Sequence, residues 1–326
     1  MLLIIDGSSL LTTNYFATIP FELKRIKDVE IQREFWHLIS STPQGKYNNA
    51  LRVSLKQIID IIERQRPEYI AVCLDKGHNS FRRDIYPEYK ANRGDKPDPL
   101  EEQFESFKEI LTRWGIKVYE SDRYEGDDYI GSLTERFKRD TKCAIYSKDK
   151  DFFQLVGLNV ELWKPFNADD YSPATDECPK NTRIIRYGAQ IKDDIEVRPE
   201  SFADFLALCG DKADNIPGCP YIGNKGANEL LIEFGSIDEI YREIDTYILN
   251  EGLDKLTEKW KTLGLKTTML MSLLQNRETV IISRMLSKIK TNIEIEESLE
   301  DLRCQINRGE YYKTISEYCI EELYEK

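Results

Sequence analysis

Histidine is almost missing from this 326-residue chain: His37 and His78 are the only two, and they lie far apart. That scarcity argues against a histidine-built zinc site and leaves few candidates for a Ser-His-Asp triad. The seven cysteines, Cys73, Cys143, Cys178, Cys209, Cys219, Cys304 and Cys319, include no CxxC pair and are odd in number. Such usage is that of a reduced, cytoplasmic protein. Long apolar runs are also lacking. The opening MLLIIDG has five apolar residues before Asp6, too few for a signal peptide or a membrane span. There is no repeat, low-complexity tract or heptad seam. Positive charge is in deficit, with 46 Lys and Arg against 58 Asp and Glu and a net charge of −12. That balance speaks against a protein that coats nucleic acid non-specifically. With 40% hydrophobic and 32% charged residues, the chain reads as an ordinary globular protein of one large or two modest domains.

Short apolar runs that end in an acidic or polar residue recur in the first half, at 2–6, 69–75, 117–120 and 143–147. Each has the length of a buried strand. Helical periodicity lies between them at 49–63, 100–114 and 127–139. The alternation predicts an α/β fold with a mostly parallel central sheet and helices on both faces. Functional groups then gather beyond the carboxyl ends of the strands, where Asp6, Asp75 and Asp149 fall. Polar excursions occupy 20–45, 76–99 and 164–200, and from about 201 the pattern is helical, with a Gly/Pro-rich hinge at 210–225.

Three acidic clusters stand out: Glu125, Asp127 and Asp128; Asp149 and Asp151; Asp211 and Asp214. Each has an ordinary local account, as a favourable helix start, a strand-end turn with an N-cap, and a pair of Asx turns. Their common placement has none. The topology brings Asp6, Asp75, Glu125, Asp127, Asp128, Asp149 and Asp151 to one sheet rim. Two like charges ~4 Å apart repel by roughly 4 kcal/mol at an effective dielectric of about 20. All-oxygen ligands without His or Cys favour Mg²⁺ or Mn²⁺ over Zn²⁺. A pair of such ions is a recurrent arrangement in nucleases and phosphatases. Residues 81–93 interleave Arg82, Arg83, Lys90 and Arg93 with Tyr86 and Tyr89. This composition suits phosphate gripping and base stacking, and equally a solvated loop with snorkelling cations. The stretch 216–227 reads as a glycine hairpin whose backbone amides can hold a phosphate, or as a plain helix cap and turn.

In combination, IIDGSSLL at 4–11, FRRDIYPEYKANR at 81–93, YEGDD at 124–128, SKDKDFFQLV at 147–156 and GDKADNIPGCPYIGNKGA at 210–227 resemble the 5′-to-3′ exonuclease and flap endonuclease family. The likeness is to its bacterial and phage branch, typified by the N-terminal nuclease domain of DNA polymerase I. EFGSIDEI at 233–240 and ISRMLSKIKTNI at 282–293 extend it to about residue 315. The resemblance implies a PIN-like α/β nuclease domain over 1–200 with a helical arch at about 76–110. It also implies a helical region over 201–326 carrying a helix-three-turn-helix DNA-binding module. It assigns Asp6, Asp75, Glu125, Asp127 and Asp128 to a first metal site and Asp149, Asp151, Asp211 and Asp214 to a second. Lys90 and Arg93 become contacts to the scissile phosphate, Tyr89 a stacking partner for the terminal base and Arg82 a phosphate contact. Lys212, Gly218, Gly223 and Lys225 become duplex contacts. The implied cofactors are two Mg²⁺, replaceable by Mn²⁺, and K⁺ at the hairpin. The implied substrate is DNA with a 5′ end beside duplex, cut by a monomer in replication and repair. RNA primers on DNA, an RNA-directed nuclease and a non-catalytic DNA-binding protein of the same fold remain alternatives.

Four departures from the family pattern are visible. Tyr221 stands where the hairpin has a second glycine, so an altered hairpin and a doubtful K⁺ site are expected. The stretches 20–45 and 164–200 are enlarged. The chain stops where polymerase-fused members continue, which suggests a free-standing nuclease.

Overall fold

The computed structural model describes residues 1–26, 28–77, 79–166, 175, 178–188 and 196–320. Among the described residues six strands form one sheet: β1 (Leu2–Asp6), β2 (Tyr69–Cys73), β3 (Lys117–Tyr119), β4 (Cys143–Tyr146), β5 (Val160–Pro165) and β6 (Thr182–Ile185). Their order is β3-β2-β1-β4-β5-β6, parallel throughout except for β6, which pairs antiparallel with β5 at the edge. The four expected strands are all present. β5 and β6 are additions that the sequence hid, because Glu161 and Lys164 interrupt the apolar run of the one and the other has only four residues.

Every residue of β1 is buried, with alternate side chains feeding two cores. Leu2 and Ile4 face one, Leu3 and Ile5 the other. A strand covered on both sides reads as a continuous apolar run, which is why LLIID was legible. The helices are α1 (Gly7–Thr18), α2 (Phe21–Arg25), α3 (Val29–Glu34), α4 (Asn49–Gln65), α5 (Phe81–Ile85), α6 (Asp98–Arg113) and α7 (Gly126–Phe137). They continue with α8 (Phe202–Cys209), α9 (Asn224–Phe234), α10 (Ile237–Asn250), α11 (Leu253–Thr262), α12 (Thr267–Gln275), α13 (Arg277–Ser287) and α14 (Arg308–Glu317). On one face of the sheet Leu11 of α1, Leu55 of α4 and Phe107 of α6 share a core. On the other, Ile130 and Leu133 of α7 meet Phe202 and Phe205 of α8. Among the described residues no helix is long and apolar enough to cross a membrane.

The segment expected to form an arch divides in two. From Leu100 onward α6 buries Phe104, Phe107, Ile110 and Leu111 against the sheet, so it belongs to the body of the fold. The part before it supplies much of the lining of a cleft at the strand ends, with Leu100 and Phe104 of α6 beside it. The stretch 20–45 contributes α2, α3 and a 3₁₀ turn at Trp36–Leu38, pinned to the core by Leu23 and Ile39. Much of 164–200 lies outside the described residues. The last segment returns to the first half: Cys304 N–H donates to Glu68 O at 2.9 Å, and Trp114 Nε1–H donates to Thr314 Oγ1 at 2.6 Å.

Candidate metal centre and nucleic-acid interface

Strand ends and the start of one helix build the site. Asp6 closes β1 and caps α1, its Oδ1 accepting from Ser9 N–H at 2.9 Å and its Oδ2 from Ser147 Oγ–H at 2.6 Å. The turn is tight enough that a Cβ on Gly7 would fall 2.7 Å from Leu74 and Val72 side-chain carbons. Asp75 follows β2 and accepts the first amide of α7, from Gly126, at 2.8 Å. Asp149 follows β4 and accepts from Asp151 N–H at 2.9 Å. These bonds occupy one oxygen of Asp75 and of Asp149 and fix how each carboxylate is presented. A cleft of about 410 Å³ is lined by Asp6, Asp75, Glu125, Asp127, Asp149 and Asp214, together with Lys90 and Arg93. Six of the nine expected carboxylates therefore share one cavity.

Burial is the main force on the acid groups. It pushes Asp6 up to about 7, with Asp75 and Asp149 adding repulsion against the hydrogen bonds from Ser147 and Ser9. Asp127 is driven well above the usual carboxylate range by burial, then by Asp6, Asp149 and Asp75. Asp151 rises to about 8 through burial and Asp149, and its buried Oδ1 has no hydrogen-bond partner. Among the described residues no group of three or more His, Cys, Asp or Glu is arranged to chelate an ion as the side chains stand. The donor chemistry nonetheless suits hard cations: every donor is oxygen, and the carboxylates repel one another in a desolvated cleft. Glu125 differs. Burial raises it, but Lys90 and Arg82 outweigh that and hold it down at about 2. Asp211 lies outside the cleft lining; burial raises it, and Lys150 Nζ at 2.8 Å brings it net below its ordinary value.

Residues 86–93 do not stand free. They dock on the hairpin more than a hundred residues away. Lys90 N–H donates to Asp214 O at 3.0 Å, Asn92 Nδ2 to Lys212 O at 2.7 Å and Asn215 Nδ2 to Glu88 O at 2.7 Å. Lys90 is held at φ 56°, and its Nζ lies 2.8 Å from Glu125 and 3.6 Å from Asp214; Arg93 pairs with Asp214. A lysine in the left-handed region costs about 1–3 kcal/mol, and the surrounding bonds impose it at the wall of the carboxylate cleft.

Four expectations are corrected by this packing. Arg82 is 2% exposed and grips Asp128 with two bonds of 2.8 Å while donating to Leu286 O and Lys288 O, so it offers nothing to a DNA phosphate. Asp128 is fully buried on that fork and also accepts from Lys290 N–H at 2.9 Å, which removes it from the metal site. Tyr89 borders the cleft but is 3% exposed, with its hydroxyl against Glu125 and Asp214, so its ring offers little face for a base to stack on. Gly218 spends its amide on Ser283 Oγ at 3.0 Å. A Cβ there would fall 2.5 Å from Gly210 N, which makes this glycine a requirement of close packing.

The rest of the hairpin remains presented. Gly223 caps α9 with open space around it, Lys225 is 89% exposed and Lys212 is exposed. Tyr221 adopts φ 63° at 87% exposure, so the bulky residue takes a left-handed conformation, the one glycine favours, with its ring in solvent. Tyr221→Gly should therefore raise stability by about 1 kcal/mol, strain relief of roughly 1–2 kcal/mol being partly offset by the freer unfolded chain. Urea denaturation measures this, and a loss of stability would contradict it. Sequence reasoning passed over Ser8, whose Oγ accepts from Asp75 N–H at 2.7 Å, along with Ser147 and Lys150. All three lie inside the quoted motifs, at positions flanking acids, which was the signal available.

Residues 1–181 match the family described as 5′-3′ exonuclease, N-terminal resolvase-like domain, and residues 197–310 match 5′-3′ exonuclease, C-terminal SAM fold. A 5′-3′ exonuclease of Halalkalibacterium halodurans is 34% identical over 297 residues, covering 90% of this chain and 85% of that protein. One of Aquifex aeolicus is 32% identical over 303 residues, covering 93% and 86%. DNA polymerase I of Streptococcus pneumoniae is 32% identical over 92% of this chain, which spans 30% of that protein. Among solved structures, the bacteriophage T5 5′-exonuclease with bound zinc superposes with a TM-score of 0.57 at 21% identity, covering 89% of this chain and 90% of the other. The bacteriophage T5 flap endonuclease in complex with DNA and metal ions gives 0.58 at 19% identity, covering 89% of each chain. At these identities the two structures speak to the fold alone.

Proposed function

We propose, from the premise that this chain belongs to the 5′-3′ exonuclease family and is a nuclease, that it hydrolyses phosphodiester bonds near the 5′ ends of flap, nicked or branched DNA with the help of two divalent ions. The observation that carries this reading is the cleft in which six carboxylates face Lys90 and Arg93. Asp6, Asp75, Glu125 and Asp127 would hold one Mg²⁺ or Mn²⁺, and Asp149 and Asp214 the second, with Asp151 and Asp211 behind them. Bound there, the ions would polarise a water for in-line attack and stabilise charge on the leaving oxygen. Lys90 and Arg93 exchange their carboxylate partners for the scissile phosphate, supplying fixed positive charge where negative charge develops. Base identity plays no part, so selectivity rests on shape: a free 5′ end in the cleft beside duplex held at Gly223, Lys212 and Lys225. The family resemblance would add a K⁺ ion at the hairpin, where the carbonyls of Ile216, Cys219 and Pro220 already accept hydrogen bonds within the protein.

The test is hydrolysis of a labelled 5′ flap and a nicked duplex, with Mg²⁺ and with chelator. Chelator-sensitive products released from the 5′ side are expected. Lys90→Ala should slow cleavage by about 10²–10³-fold, as for loss of a preorganised charge-stabilising donor, and should also lower the melting temperature, because the buried Glu125 carboxylate loses its nearest cation. Absence of any metal-dependent product at micromolar protein would instead favour a structure-specific DNA-binding role. Cleavage confined to an RNA strand would favour an RNA-directed nuclease.

A further inference from the structure

A second cavity, of about 660 Å³, lies beside α1 and shares only Asp6 and Ser9 with the carboxylate cleft. Its size is that of a small-molecule site, typically about 300–1,000 Å³. Residues at the carboxyl ends of three adjacent strands line it: Asp6 closing β1, Tyr146 at the end of β4 with Ser147 and Lys148 after it, and Pro165 at the end of β5 with Phe166 after it. From β1 the chain order runs outward through β2 and β3 on one side and through β4 and β5 on the other. The cavity therefore occupies the topological switch point, where open parallel sheets leave a crevice for ligands.

The charge of this cavity is opposite to that of the whole chain. α4 presents Arg52, Lys56 and Arg64 to it, spaced by multiples of four residues and so on one ridge of the helix, about 6 Å of rise per step. Lys148 and Lys180 join from the strand-end side. Among the described residues, five cations face the cavity against two carboxylates, Asp6 and Asp60, in a protein of net charge −12. Phe166, Pro165 and Pro179 add flat apolar wall. Anion-binding groups on one side and apolar wall on the other are what a nucleotide needs, and the volume suits one nucleotide better than a duplex.

We infer that this cavity is a subsite for a nucleoside 5′-monophosphate, the unit released by exonucleolytic cleavage, with its phosphate on the basic ridge of α4 and its base against Phe166 and Pro179. The choice of ligand rests on the nuclease reading. The shared Asp6 and Ser9 place the subsite next to the reaction centre, where it can retain product.

The experiment titrates the full chain with 2′-deoxyadenosine 5′-monophosphate in chelator, by calorimetry. Wild type should bind one equivalent. Lys56→Glu/Arg64→Glu should weaken binding by about tenfold or more, as for loss of a charge-assisted hydrogen bond, and Lys90→Ala/Arg93→Ala should leave it unchanged. Deoxyadenosine, without the phosphate, should bind at least about tenfold more weakly. The Lys56→Glu/Arg64→Glu variant should cut a 5′ flap at the wild-type initial rate, yet escape inhibition by added nucleotide. The inference is overturned if wild type shows no saturable binding, if inorganic phosphate binds as tightly as the nucleotide, or if binding is lost in Lys90→Ala/Arg93→Ala and kept in Lys56→Glu/Arg64→Glu. A chain that cuts flaps but binds no nucleotide overturns the subsite alone; one that binds nucleotide but cuts nothing overturns the nuclease reading alone.

Discussion

Asp127→Asn is expected to abolish nearly all hydrolysis while leaving the metal-free protein at least as stable as wild type. Asp127 is the second residue of α7, and its carboxyl group is buried among Asp6, Asp149 and Asp75, with Lys90 the one opposing cation among its main influences. Asparagine keeps the shape but contributes no charge to a divalent ion. Metal stabilisation of a phosphoryl transition state is worth several kcal/mol, so the rate should fall by about 10³-fold at roughly 1.4 kcal/mol per decade. Folding responds in the opposite sense. Neutralising one member of a desolvated like-charge cluster removes repulsion, which outweighs the roughly 0.3–1 kcal/mol that a carboxylate near a helix N-terminus contributes. Thermal melts in chelator would show it: a Tm several degrees below wild type contradicts this account. Added Mg²⁺ should raise the Tm of wild type more than that of the variant, because stabilisation by a ligand follows its affinity for the folded state. Equal shifts would remove Asp127 from the metal site.

The sequence carried the parts of this molecule that topology decides. Asp6, Asp75 and Asp149 follow apolar runs, and in a parallel sheet the end of a run is a place in space, so their meeting could be read without coordinates. Asp127 came with them because the first turn of a helix after β3 opens at the same rim. What could not be read is which partner a charged side chain selects. Arg82 and Lys90 look alike in FRRDIYPEYKANR, yet one is sealed behind α7 and the other lines the cleft. The difference is set by Leu286, Lys288 and Asp214, far along the chain, and no local pattern records those contacts. Tyr89 was misread for the same reason: an aromatic residue between cations suits a base or a buried hydroxyl pocket equally well. The docking of 86–93 onto 210–216 is a long-range event between two irregular segments, where neither period nor cap gives a signal.

Arg82→Ala should lower stability by about 3–5 kcal/mol, the cost of removing one partner of a buried ion pair. The guanidinium makes four bonds: two of 2.8 Å to the carboxylate of Asp128, one of 2.9 Å to Leu286 O and one of 3.0 Å to Lys288 O. Truncation would strand a fully buried carboxylate and two carbonyls at the point where α5, the start of α7 and the end of α13 meet. Lysine cannot replace it, since an ammonium has three donors and no planar fork, so Arg82→Lys should still cost about 1.5–3 kcal/mol, as for loss of charged hydrogen bonds. The double variant Arg82→Met/Asp128→Leu should regain part of the loss, because exchanging a buried pair for apolar side chains is often close to neutral. Full recovery is not expected, as Asp128 also accepts from Lys290 and Glu125 amides at 2.9 and 3.2 Å. Urea denaturation decides: the midpoint should fall at unchanged slope, the signature of lost stability rather than altered compactness. A phosphate-contacting arginine would behave otherwise, weakening DNA binding uniformly and reducing its salt slope by about one with little effect on folding. If Arg82→Ala keeps its urea midpoint and loses DNA affinity in that way, the fork on Asp128 opens in solution and Arg82 returns to the DNA-binding surface.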